Sequence, residues 1–183
     1  MGSRSRLIGD GANVFRGSLM RLFLAALGLA FALAGGPAWA QSDAQHELDA
    51  IFQLFDEDHD GFITTAEANR VIERTFAEMD GRKTGEIKPE DWMRFSFGLA
   101  DLAAAQGRSD AYDRAKYEIF KRWDRRGAGA LTLDDYRAGV LGDARKGLAA
   151  GRSGEGRTGE AMRLDLAAFK RAPFVRRIMK SLH

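Results

Sequence analysis

The chain has 183 residues, 45% of them hydrophobic and 30% charged, which suits one ordinary globular domain or two small lobes and excludes a disordered chain. It contains no cysteine, so disulfides and thiolate metal sites are excluded. The formal charge of +2 depends on the first 40 residues, which carry four Arg and one Asp; without them the chain stands at −1 and gives no nucleic-acid signal.

Those first residues read as an export leader. Arg21 is followed by an apolar run from Leu22 to Ala34, and Ala38-Trp39-Ala40 has the small-x-small form of a cleavage site. The run is shorter than the ~20 residues a membrane span needs. With no Cys after the site, lipid anchoring is excluded, so residues 1–40 are expected to be removed, leaving no stable membrane anchor. The residues ahead of Met20 are either an over-extended start or a long leading region. The expected location is exported, periplasmic or secreted.

From Gln41 onward, Leu48, Ile51, Phe52 and Phe55 recur at helical spacing and predict an amphipathic helix. It runs into DEDHDGFITTAE, residues 56–67. Three Asp at alternate positions, a Gly and then a Glu six residues on form D-x-D-x-D-G-x5-E. This resembles the EF-hand calcium-binding family at every ligand position. The resemblance implies an all-α fold of helix–loop–helix repeats with short β contacts between loops. It implies one Ca2+, bound by Asp56, Asp58 and Asp60 through single oxygens, by the Phe62 carbonyl, by Thr64 through a water, and by both oxygens of Glu67. Gly61 would supply the positive φ of the turn. His59 and Glu57 are expected outside the cage, His59 in solvent.

Two further copies follow, and a fainter fourth. FAEMDGRKTGEIKPED places Asp80 at loop position 1, Gly85 at 6, Ile87 at 8 and Asp91 at 12. FKRWDRRGAGALTLDD places Asp124, Gly129, Leu131 and Asp135 in the same roles, and RLDLAAFKR aligns Leu164 with position 8. The second loop carries Arg82, Thr84 and Lys88 at ligand positions, and the third carries Arg126 and Ala128. The fourth has no acid at positions 1, 3, 5 or 12. These are read as hands that keep the fold and lose the ion, one competent site remaining.

The stretch AEANRVIERTFAEM between loops one and two has no Gly or Pro. It predicts a single helix that holds the two loops ~21 Å apart at its ends. Loop one cannot then pair with loop two; the expected pairs are one with four and two with three, through Ile63, Leu164, Ile87 and Leu131. The compact spacing and leader are also similar to lanmodulin, a lanthanide-binding EF-hand family. The chain departs from it with Glu57 at position 2, Thr64 at position 9 and one intact loop.

Pro89 suits a helix start, and WMRFSFGLADLAAA is expected to continue it. Ser109 or Asp110 would cap a helix running to Trp123. Residues 142–159 hold six Gly and read as a flexible basic loop that lacks the order of a phosphate cradle. The tail FVRRIMKSLH reads as a short basic helix, packed on the C-terminal lobe or offered to a membrane or partner.

The expected organisation is a leader at 1–40, a lobe at 41–105 with loops 56–67 and 80–91, and a lobe at 106–183 with loop 124–135 and the remnant hand. Residues 41–110 hold 16 acids against 7 bases, and 111–183 hold 9 against 17. The halves either attract each other, face an anionic or protein partner, or carry solvated charge. With no Cys and only His46, His59 and His183, no catalytic constellation emerges, so the chain reads as a binding protein rather than an enzyme.

Overall fold

Helices dominate, and the computed structural model describes residues 38–151 and 162–183. In chain order the elements are α1 (Ala38–Phe55), β1 (Phe62–Thr64), α2 (Thr65–Met79), β2 (Glu86–Ile87), α3 (Pro89–Arg94) and α4 (Ala100–Ala105). They continue with α5 (Ser109–Trp123), β3 (Leu131–Thr132), α6 (Leu133–Ala149), β4 (Arg163–Asp165), α7 (Leu166–Arg171) and α8 (Pro173–Ser181). The stretch expected to be a leader, residues 1–40, falls almost wholly outside the described residues. The backbone of α1 begins at Ala38, two residues before the expected cleavage point.

The helices form because their apolar residues recur every three to four positions and can be buried together. Ala44, Leu48 and Phe52 of α1 and Ala68, Val71, Ile72, Phe76 and Met79 of α2 are all buried. The α2 segment is continuous, as its lack of breakers predicts, and separates loop one from loop two. The strands follow from that separation. β1 pairs antiparallel with β4, placing Ile63 opposite Leu164, and β2 pairs with β3, placing Ile87 opposite Leu131. All four of these residues are buried, so each two-residue contact is also an apolar staple between hands.

Both sheets cross position 105, and the described residues pack as one unit. A continuous run of aromatic contacts joins the two loop pairs. Phe52 meets Phe169, Phe169 meets Phe174, Phe174 meets Trp123, and Trp123 meets Trp92 and Tyr136, with ring centroids 5.6–6.3 Å apart.

Three expectations are corrected. Residues 142–149 are not a loop: they form the last turns of α6. Its glycines serve close packing. A Cβ on Gly139 would lie 2.4 Å from the Trp123 ring, and one on Gly147 would lie 2.3 Å from the Ala168 carbonyl. Residues 152–159 of the same stretch lie outside the described residues. The helix from Pro89 does not run through to residue 105. It stops at Arg94 because the buried Lys116 ammonium takes the Met93 and Phe95 carbonyls, both at 2.8 Å, and Gly98 then turns the chain at φ +84°. Burial lowers the pKa of that ammonium, partly offset by Asp113. Finally, α5 has Arg108 at its N-cap with no side-chain cap, so Ser109 is its first helical residue. The tail packs inward: Val175, Ile178, Met179 and Leu182 are buried.

Candidate metal centre

Loop one hangs between α1 and α2 and is shaped by its own carboxylates. Asp56, buried at the end of α1, accepts the Asp60 amide through Oδ1 at 3.1 Å and the Gly61 amide through Oδ2 at 2.9 Å. Asp58 accepts the Asp60 amide at 3.1 Å, and Asp60 accepts the Phe62 amide at 2.9 Å. His59 at position 4 has φ +57° and is exposed, and Gly61 has φ +85°. These turns aim the three side chains inward. Asp56, Asp58 and Asp60 each offer a carboxylate oxygen, all within 4.8 Å of one another, a grouping that could hold a metal ion. Ca–O distances are ~2.3–2.6 Å, so two oxygens on one ion lie no more than ~5 Å apart, and the triad fits a shared Ca2+.

Glu67 sits at the third position of α2, where Thr64 is the N-cap of a reciprocal capping box. Its carboxylate accepts the Glu57 amide at 2.9 Å and the Thr64 amide at 2.8 Å, and Thr64 Oγ1 donates to it at 2.7 Å. It thereby ties the first residues of the loop to the last. Burial alone would raise the Glu67 carboxyl. The Thr64 amide and hydroxyl and the amides of Glu57 and Asp58 outweigh it and hold the carboxyl below its ordinary value. Glu57 lies outside the triad, paired with Arg70 at 2.7 Å. Phe62 enters β1 opposite Asp165.

Sequence reading missed Arg163. This β4 residue donates to Asp60 Oδ2 at 2.9 Å, and its guanidinium lies 4.2 Å from the Phe62 ring centre. Its distance from Asp60 in the chain left no signal beyond the Ile63–Leu164 alignment, which puts its neighbour opposite loop one.

Loops two and three repeat the turn with different contents. Asp80 accepts the Thr84 and Gly85 amides at 2.8 and 2.7 Å, and Asp124 accepts those of Ala128 and Gly129 at 2.9 and 2.8 Å. Position 4 is again left-handed, at Lys83 (φ +55°) and Gly127 (φ +63°). In each, the arginine at position 3 reaches the acid at position 12. Arg82 pairs with the buried Asp91 at 2.7 Å, and Arg126 pairs with Asp135 at 2.6 Å. Arg94 adds a second pairing to Asp91. Thr132 and Asp135 form the same capping box as Thr64 and Glu67. Loop four reaches the described residues only at Met162; there Asp165 caps α7 by accepting the Ala168 amide at 2.7 Å.

No protein-family model matches the chain, and no solved structure matches it. Among curated proteins, the chain is similar to one from rice (Oryza sativa subsp. japonica) described as probable calcium-binding protein CML17. The two are 31% identical over 132 residues, covering 62% of this chain and 77% of that one. With the repeated turns, the paired apolar strands and the acidic triad at one loop, this similarity places the chain in the EF-hand family of calcium-binding proteins.

Proposed function

We propose that the protein binds a single Ca2+ at loop one, is exported, and holds the ion as a structural or buffered ligand rather than performing catalysis. The observation that carries the reading is the contrast in loop contents. Three carboxylates share a 4.8 Å space in residues 56–60, while in loops two and three an arginine occupies position 3. The proposed ligands are the carboxylates of Asp56, Asp58 and Asp60, the Phe62 carbonyl, Thr64 through a water, and the Glu67 carboxylate. When bound, the divalent charge offsets the mutual repulsion of these acids. The calcium-binding description of the rice relative supports the choice of ion. The leader ending at Ala40 supports export.

A sensor role, in which the ion opens a groove for a partner, is the second reading. The closing of each of loops two and three by its own arginine favours the structural role, since these hands carry their cation permanently. Calorimetric titration with Ca2+, Mg2+ and La3+ tests the assignment. One Ca2+ per chain, lost in Glu67→Gln, supports it; two or more overturn the single site. A La3+ affinity many orders above that for Ca2+ would move the reading to lanthanide binding. Apolar-dye fluorescence that rises with Ca2+ would favour the sensor. A secreted chain whose mass does not begin at Gln41 would overturn the leader assignment.

A further inference from the structure

On the side of the molecule built by α1, α5, α7 and α8 lies an open groove of about 760 Å³. Its floor is apolar, with Leu48 from α1, Ala111 and Ala115 from α5, and Pro173 and Met179 from α8. Arg108 bridges the start of α5 to the end of α8 by donating to the Ser181 carbonyl at 3.3 Å, which fixes the spacing of the two walls.

The walls are strongly cationic. Arg122 and Lys170 also line the groove, but they are committed to Asp143 and Asp49. Arg114 on α5 and Arg176, Arg177 and Lys180 on α8 are exposed, and among the described residues none of them forms a salt bridge. Lys121 and, after it, Arg177 nevertheless lie close enough to Glu118 to lower its carboxyl pKa. Against these the described lining residues include one acid, Glu118. Pro173, Arg176, Arg177 and Lys180 fall at i, i+3, i+4 and i+7, so α8 turns one continuous face to the groove.

We propose that this groove docks an acidic, amphipathic peptide segment of another protein, its apolar residues on the floor and its carboxylates against the arginines of both walls. Charge complementarity selects the occupant: Arg114, Arg176, Arg177 and Lys180 line the groove against the single lining acid Glu118. Although Asp110 and Asp113 stand beside Arg114, the α8 wall carries no acid, which favours an anionic partner. The apolar floor selects a peptide over a purely polar polyanion, because an interface of this kind has an apolar centre and a charged rim. The concavity selects a segment over a lipid surface, since the cations line two facing helices rather than one plane. The proposal stands apart from the ion at loop one.

The test is fluorescence anisotropy with the full chain and a labelled 14-residue helical peptide carrying Glu on one face and Leu on the other. A poly-glutamate peptide of equal length and anionic phosphatidylglycerol vesicles serve as comparison probes. The expected result is saturable binding of the amphipathic peptide, weakened about tenfold or more by Arg176→Glu with Arg177→Glu, and likewise by Arg114→Glu on the opposite wall. Arg145→Glu with Lys83→Glu, an equal charge change outside the groove, should shift affinity less than about twofold. Circular dichroism and Ca2+ uptake confirm that each variant is folded. Failure to bind the amphipathic peptide, poly-glutamate binding as tightly, equal weakening by the control pair, or a preference for vesicles would each overturn the proposal.

Discussion

Loop one and loops two and three are the same turn with different cations in view. In all three, the Asp at position 1 accepts the amides of positions 5 and 6, position 4 is left-handed, the glycine at 6 has positive φ, and the residue at 8 is buried in a short sheet. They part at position 3. Loop one has Asp58 there, while the other two have an arginine hydrogen-bonded to the acid at position 12. A guanidinium is a permanent cation with two-pronged geometry, so it can close a hand without any ion. The backbone of the hand and its affinity for metal are therefore carried by different residues and can be altered separately.

The largest expected effect on this contrast comes from Glu67→Gln, which should weaken Ca2+ binding about a hundredfold in calorimetry. The NMR signature of the Ile63–Leu164 strand pair should persist, because Thr64 still caps α2. Loss of that strand pair would break the separation of backbone from metal.

Arg82→Asp tests the tethered cation directly. Asp91 is buried, but Arg82 is half exposed and Arg94 remains as a partner. The cost should therefore be about 1–2 kcal/mol in chemical unfolding, below the 3–5 kcal/mol of a fully buried pair. The variant should also take up a second Ca2+ weakly and recover stability with it. A variant as stable as the parent without Ca2+ would show that the guanidinium does nothing for the hand.

Acid should act on the two kinds of loop alike. The Glu67, Asp80 and Asp135 carboxyls are all held below their ordinary values of 4.5, 3.8 and 3.8. For Asp80, burial opposes the Thr84 and Gly85 amides, the Thr84 hydroxyl and Arg82. For Asp135, the Thr132 hydroxyl leads against burial, helped by the Thr132 amide and Arg126. With folded pKa values below unfolded ones, this stability is fully present above about pH 5 and is lost as pH falls through the folded values. Thermal melts of Ca2+-free protein from pH 6 to 3 should show the decline, and Asp80→Asn should blunt it.

The smallest effect concerns Arg163→Gln. Arg163 contributes a cation beside Asp60 that works against a divalent ion, so its removal should raise Ca2+ affinity about threefold, and less at high salt. A fall in affinity would mean that Arg163 orients Asp60 for the ion.

The pairing of hands was legible in the sequence because it rests on local features: the lack of Gly and Pro across residues 66–79, and apolar residues at position 8 of each copy. Arg82 and Arg126 were legible as residues that repel Ca2+. Their role as replacements for it was not, because that requires knowing that position 3 reaches position 12 across the turn. The capping boxes Thr64–Glu67 and Thr132–Asp135 were written as T-x-x-E and T-x-x-D but overlap the metal motif, which masks them. Gly147, inside the stretch expected as a loop, was misleading for a physical reason. Composition cannot distinguish a glycine that frees the chain from one that admits a close neighbour, and here the neighbour is the Ala168 carbonyl. Lys116 stops α3 from 21 to 23 residues away, beyond any local pattern.

The strand order also sets an order of assembly. The β2–β3 pair closes a stretch lying wholly inside the one closed by β1 and β4, so the hands are nested like brackets. The outer closure is roughly twice as long, which adds about 0.6 kcal/mol of chain entropy before its contacts form. It also needs residue 165, well downstream of the inner pair. The inner pair, closed by its own arginines, can form first and without metal. The strand that backs the acidic triad is joined only once residues 163–165 are present.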